Sequence, residues 1–311
     1  MKRILVPLDG SSFAERALAP ALDLAGRHEA EVHLASVVSD LPPVPLATAD
    51  TEQATRWVDE ERKRAEKYLE EVRERTVAKV PAAQLGTHVR VGPVTKGLEG
   101  LAEDLDVDLI MLTTHGRGSW QRAWLGSVAD QLLRKAERPL LLLRDQEAGK
   151  GLFKAVTSPA HVLVPLDGSE AAEVVLQVLD PLLPKDGGKV TFASVLHQPF
   201  PLATTYLPHG ASDQFMMSER KEQLQAYLSE VEDRFRGRGV ETETRILVAE
   251  DAAQGLLELA EKGKVDLIAL STRGRGGVTR FFLGSVADKL VRGAKVPLLT
   301  ARRPREEGEE G

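Results

Sequence analysis

The amino-acid sequence predicts an α/β fold in duplicate: two tandem, open, mostly parallel five-stranded sheets with helices on both faces, Rossmann-like in character. Three observations carry that prediction. The 311 residues suffice for two domains of about 150 residues each. Several phrases recur at one spacing: ILVPLDGS starts at Ile4 and VLVPLDGS at Val162, DLI at Asp108 and Asp266, LGSVAD at Leu125 and Leu283, each pair 158 residues apart. Within each copy, short apolar runs alternate with helical patterns, and strands joined through helices run parallel. A repeat this long is a duplicated domain and not a solenoid unit. The bounds that follow are 1–145 and 161–303, with 146–160 as linker and 304–311 as a charged tail.

The elements follow in order. RILVPL (3–8) is a short buried strand ended by Asp-Gly. SSFAERALAPALDLAGRH (11–28) reads as a helix with Ser12 and Glu15 as a capping box, bent at Pro20. EVHLASVV (31–38) is a second strand, and the proline-rich LPPVPLATAD (41–50) is a loop. The span 52–80 is a long amphipathic helix whose polar face carries many carboxylate–base neighbours. THVRVG (87–92) is a third strand, VTKGLEGLAEDL (94–105) a helix and DLIMLTT (108–114) a fourth strand. SVADQLLRKAE (127–137) is a helix and PLLLLR (139–144) the fifth strand. The second copy departs mainly at 197–219, HQPFPLATTYLPHGASDQFMMSE. This is a more aromatic, methionine-containing loop that either packs against the other half or covers a ligand.

Composition removes several classes of function. Net charge of −6 argues against an extended nucleic-acid interface, which needs a basic face. The opening MKRILVPLDG has too short an apolar run for a signal peptide, and runs such as PLLLLR fall far short of a membrane span. A cytoplasmic protein without a membrane partner is the expectation. There is no cysteine, hence no disulfide or thiolate metal site. Asparagine is also absent, and with abundant Glu and Arg this suggests a thermophilic source. His28, His33, His88, His161, His197 and His209 show no metal-ligand spacing, and His115 is matched by Arg273 in the other copy.

The phrase that points to chemistry is also duplicated: THGRGSWQRAWLGSVAD from Thr114 and TRGRGGVTRFFLGSVAD from Thr272. Nine residues separate Gly116 from Gly126-Ser127, and nine separate Gly274 from Gly284-Ser285. Glycines let backbone amides approach an anion, and a helix start presents unpaired N–H groups with a positive partial charge. Ser127 and Ser285 either cap a helix or donate a hydroxyl to phosphate. Arg117, Arg122, Arg275 and Arg280 add positive charge nearby. The alternative is a pair of ordinary strand-to-helix turns with solvated arginines. Neither the GxxxxGK[ST] nor the GxGxxG phosphate-loop spacing occurs in these phrases.

ILVPLDGS, THGRG, the nine-residue spacing and LGSVAD together closely resemble the universal stress protein family, and the resemblance covers both halves. It implies an open sheet of order 3-2-1-4-5 and, in the branch carrying G-2x-G-9x-G-[S/T], binding of ATP, here with Mg²⁺. Carried over, the motif's second glycine is Gly116 or Gly274, and its closing pair is Gly126-Ser127 or Gly284-Ser285. Val128 and Val286 continue the phosphate-facing helix start. Asp9 and Asp167 correspond to the aspartate near the adenosine, although Asp-Gly-Ser after a strand also makes a turn and cap. Val37 and Val195 correspond to the residue beside the adenine. Both halves depart at the motif's first glycine, replaced by Thr113 and Ser271, whose hydroxyls either crowd the ligand or bond to it. Trp120 and Trp124 stand where the second half has Val278 and Phe282, so the two sites need not be equal.

Three functions compete: an ATP-binding regulatory module, a slow ATP hydrolase, and a nucleotide-free interaction scaffold. Asp9, Asp130, Asp167 and Asp288 are the carboxylates available for cation binding, but they form no distinctive catalytic constellation. By resemblance, PLLLLR and PLLTAR pair within the chain as a pseudo-twofold dimer, with further homo-oligomerisation left open.

Overall fold

The computed structural model describes residues 1–40, 51–77, 84–114, 125–144, 156–184, 187–197, 210–272 and 283–302. The described residues fall into two compact units, one up to Arg144 and one from Val156.

In the first unit the elements run β1 (Arg3–Pro7), α1 (Leu18–His28), β2 (Glu31–Val38), α2 (Thr51–Val77), β3 (Leu85–Val91), α3 (Val94–Asp104), β4 (Leu109–Thr114), α4 (Ser127–Lys135) and β5 (Leu140–Arg144). The strands lie in the order β3-β2-β1-β4-β5, every pair parallel. Strands buried on both faces need continuous apolar runs, and β4 and β5 supply Leu109–Leu112 and Leu140–Leu143, all buried. From β1 the chain winds outward through β2 and β3, then returns to wind the other way through β4 and β5. Right-handed crossovers therefore send α1 and α2 to one face and α3 and α4 to the other. Side chains tie each pair: Tyr68 of α2 to Glu15 just before α1, and Thr95 of α3 to Gln131 of α4.

The second unit repeats the series as β6 (His161–Pro165), α5 (Glu170–Leu179), β7 (Lys189–His197), α6 (Gly210–Phe235), β8 (Glu241–Ala249), α7 (Ala252–Lys262), β9 (Leu267–Ser271), α8 (Ser285–Gly293) and β10 (Leu298–Ala301). Its order, β8-β7-β6-β9-β10, is the same one counted within the unit, again all parallel.

Three expectations are corrected. Ser12 is not the first helix's cap: Ser11 accepts the Ala14 N–H at 3.1 Å, and Ser169 does the same for Ala172 at 3.2 Å in the second unit. Glu15 is spent on Tyr68 and Arg75 instead of closing a capping box. Pro20 bends nothing, because a 3₁₀ turn (Ala14–Ala17) precedes α1 and puts Pro20 in its first turn, where a missing N–H is harmless. The loop expected over 197–219 is helical from Gly210 onward. The loop 41–50, the junction 145–155, the tail from 303 onward and His209 lie outside the described residues.

Candidate functional site

A doubly wound sheet leaves a crevice beyond the strand ends where its order reverses. In the second unit that place, between β6 and β9, opens into a cavity of about 860 Å³, within the roughly 300–1,000 Å³ usual for small-molecule sites. The cavity brings together Asp167, Val195, Ser271, Gly284, Ser285 and Val286. These are all the nucleotide-contact candidates of this half within the described residues; Asp288, weighed for a cation, is not on the lining. Gly274 and Arg275, like Gly116 and Arg117 of the first unit, lie outside them, as do His115, Trp120, Arg122, Trp124, Arg273, Val278, Arg280 and Phe282.

Each side chain is positioned by its local sequence. β6 ends in a tight turn that needs Gly168 at φ 81°, a conformation glycine adopts without penalty. Asp167 closes that turn: one carboxylate oxygen accepts the Ser169 N–H at 3.0 Å and the Ser169 hydroxyl at 2.6 Å. The turn reading of this aspartate is thus realised, and it still lines the cavity. Asp9 makes the same pair of bonds to Ser11 at 3.0 and 2.6 Å, beside Gly10 at φ 81°.

At the opposite wall, α8 begins. Its N-cap is Gly284, in an extended conformation with φ −58° and ψ 145°, and no side chain caps the helix. Ser285 is therefore the first helical residue and not a cap, and Ser127 after Gly126 is the same. The first intrahelical bond runs from the Asp288 N–H to the Gly284 carbonyl. The N–H groups of Ser285, Val286 and Ala287 precede it on the cavity wall, with the positive end of the helix dipole behind them. A Cβ on Gly284 would meet only the Thr272 carbonyl oxygen, at an ordinary 3.6 Å. Among the described residues, nothing in the packing requires glycine there.

Two hydroxyls on the cavity are buried without a hydrogen-bond partner: Oγ of Ser271, a residue 8% exposed, and the phenol of Tyr227. Leaving such a group unsatisfied costs about 1–3 kcal/mol. The Tyr227 hydroxyl stands near Glu173 but outside hydrogen-bond geometry, and burial, then Glu173 and Asp167, push its pKa up. The first unit differs at the matching position, where Thr113 donates to the Phe13 carbonyl at 3.3 Å. Its other candidates also sit at the carboxyl edge of the sheet: Asp9 after β1, Val37 near the end of β2, and Gly126, Ser127 and Val128 at the start of α4. Val37 is pressed by α3, where a Cβ on Gly97 would lie 2.8 Å from it.

Asp130 and Asp288, the helix carboxylates weighed as cation ligands, are each gripped by an arginine one turn on, Arg134 at 3.0 and 3.3 Å and Arg292 at 2.9 and 3.1 Å. Among the described residues no cluster of three metal-ligating side chains occurs. No described helix is long and apolar enough to cross a membrane.

The sequence reading missed the wall that α6 contributes: Arg220, Gln223, Leu224 and Tyr227 at helical spacing. It also missed a repeated constellation. Glu15 accepts from Tyr68 at 3.1 Å and pairs with Arg75 at 3.3 Å, while Glu173 pairs with Arg234 at 2.8 Å beside Tyr227. A readable signal existed. Both copies place a glutamate in the first helical segment and a Tyr and an Arg seven apart in the long helix.

The Universal stress protein family profile matches residues 1–144 and again 160–302. A universal stress protein of Mycobacterium tuberculosis (strain H37Rv) is 26% identical over 200 residues, which cover 64% of this chain and 63% of that one. The chain thus spans a little under two thirds of that relative's length. One from Methanocaldococcus jannaschii is 29% identical over 160 residues, 51% of this chain and 88% of the relative. Among solved structures, a universal stress protein from Archaeoglobus fulgidus superposes with a TM-score of 0.66 at 20% identity, covering 97% of this chain and 98% of that one. This last likeness speaks for the fold alone.

Proposed function

The chain belongs to the universal stress protein family, with two such domains in tandem, and from that premise we propose that it is a nucleotide-binding regulatory protein that takes ATP, with Mg²⁺, at the carboxyl edge of each domain's sheet. The observation that carries this reading is the second-unit cavity. An uncapped helix start, a glycine that no described neighbour crowds and an unpartnered buried hydroxyl all converge there. In the arrangement we propose, the phosphates lie on the N–H groups of Ser285 and Val286, Ser271 donates to them or to the ribose, and the base lies toward Val195. Asp167 is the carboxylate nearest to serve a cation. Because Asp130 and Asp288 are held by arginines, the arrangement favours binding over turnover.

The finer architecture is part of the same proposal. From the family resemblance we infer that PLLLLR and PLLTAR pair as an intramolecular pseudo-dimer. A cytoplasmic, heat-tolerant protein remains the expectation; ion pairs such as Arg73–Glu70 at 2.8 Å on α2 and Arg234–Glu173 at 2.8 Å support the second half of it.

Calorimetric titration of Mg²⁺-ATP into nucleotide-stripped protein tests the binding. Wild type is expected to take up ATP, and Gly284→Ala to weaken uptake in the second unit while leaving the unfolding midpoint unchanged or higher. Uptake unaffected by Gly284→Ala would remove the second-unit cavity from the account.

A further inference from the structure

We propose that the second unit is the tighter of two nucleotide sites, and that Arg220 on α6 makes it so by selecting the charged nucleotide over an uncharged nucleoside. This rests on the reading that the cavity takes ATP.

The argument begins with helix register. The segments KYLEEV of α2 and AYLSEV of α6 align Tyr68 with Tyr227, and the structure holds them alike: Arg75 and Arg234, each seven residues on, pair with the matching Glu15 and Glu173. With that register anchored, the cavity-lining residues of α6 can be compared position by position with α2. Arg220 stands where the first unit has Glu61, Gln223 where it has Arg64, and Leu224 where it has Ala65.

The electrostatic difference is a gain of one positive charge: Glu61 and Arg64 sum to zero, Arg220 and Gln223 to +1. Glu61 and Arg64 pair with one another, so that wall in the first unit is a closed ion pair with a carboxylate in it. Arg220 is exposed at the cavity and makes no ion pair among the described residues. Gln223 beside it brings no charge to neutralise it. A guanidinium at the mouth of a partly enclosed site attracts a polyphosphate through a medium less screening than bulk water, while it does little for a neutral nucleoside.

The hydroxyls at the motif's first position act in the same direction. Thr113 has already given its proton to the Phe13 carbonyl, and Ser271 has no partner until a ligand arrives. Binding in the second unit satisfies a buried donor, whereas in the first it must compete with an existing bond. Both differences favour the second unit, and they lie on different elements.

The test is titration calorimetry of the full chain with ATP and, separately, adenosine. The variants are Arg220→Gln, Glu61→Arg and, to assign the heats, Gly284→Ala. Wild type is expected to show a tighter and a weaker class for ATP, the tighter one being the class Gly284→Ala weakens. Arg220→Gln is expected to weaken that class about tenfold for ATP and less than twofold for adenosine, the difference shrinking in 0.5 M salt to about twofold. Glu61→Arg is expected to tighten the weaker class. Because Arg220 is exposed, its variant should unfold at the wild-type midpoint, which checks that a changed affinity is not a changed fold. An Arg220→Gln protein that binds ATP as wild type does, or loses adenosine equally, overturns the proposal. So does a tighter class that is insensitive to Gly284→Ala. A wild type that takes up no ATP overturns the nucleotide reading itself, a failure distinct from these.

Discussion

Replacing Ser271 with alanine should stabilise the free protein and weaken its hold on ATP, a pair of opposite effects that few mutations produce. The hydroxyl is buried, at the end of β9, without a partner. Removing a buried unsatisfied polar group recovers about 1–3 kcal/mol, and alanine leaves the rest of the side chain in place. For a domain of this size about 1 kcal/mol moves the midpoint by roughly 2–4 °C. The second unit should therefore unfold at least about 2 °C higher in the variant. With ATP bound and its phosphates as acceptor, the same hydroxyl donates to a charged group, worth about 1.5–3 kcal/mol, so its loss should weaken the second-unit site by about 10- to 150-fold, and by less if the ribose is the acceptor. Differential scanning calorimetry without nucleotide and isothermal titration with it read the two effects on one sample. A lower midpoint in Ser271→Ala would mean that the hydroxyl has a partner in the free protein. An unchanged ATP affinity would mean that the ligand never meets it.

Three further outcomes are expected. Gly97→Ala places a Cβ 2.8 Å from Val37 Cγ1, so the overpacking cost of about 1–3 kcal/mol should exceed the roughly 1 kcal/mol gained in helix propensity; Gly255→Ala, whose Cβ would lie 3.1 Å from Ala249, should be milder, and denaturant unfolding of the pair measures the difference. His33 and His88 bond ring to ring at 3.1 Å, and burial lowers both pKa values below 6.5. The unfolded state then binds more protons, so the first unit's stability should be complete above pH 6.5 and fall as the pH drops below it; unfolding midpoints from pH 5 to 7.5 should show this, and His33→Gln/His88→Gln should flatten it. Ser169→Ala removes both the α5 cap and the hydroxyl that fixes Asp167, and should cost about 0.5–2 kcal/mol in thermal unfolding.

The strand order came from the family resemblance, whereas the duplication and the strand–helix alternation were legible because they rest on long-range regularities, a constant spacing and apolar runs too short for anything but buried strands. So was the site's floor, since ligand crevices follow from where a parallel sheet reverses, and Asp167, Ser271 and Gly284 leave the ends of named elements. What stayed hidden depended on local three-dimensional detail. Ser11 takes the cap from Ser12 because the Asp9 turn orients it first. Pro20 was read as a bend because the 3₁₀ turn before it leaves no mark in composition. The α6 wall was invisible for another reason: Arg220 and Gln223 lie in a run rich in charged residues, which ordinarily means a solvated face. The packing of α6 over β7 and β8 brings these residues to the cavity.

The measurement closest to the central claim is a crystal structure of the full chain soaked with a non-hydrolysable ATP analogue and Mg²⁺. The account predicts phosphate density on the N–H groups of Ser285 and Val286, within hydrogen-bond distance of Ser271, with the base beside Val195 and higher occupancy in the second unit. An empty second-unit cavity at saturating analogue, or density away from the carboxyl edges of the two sheets, would contradict it.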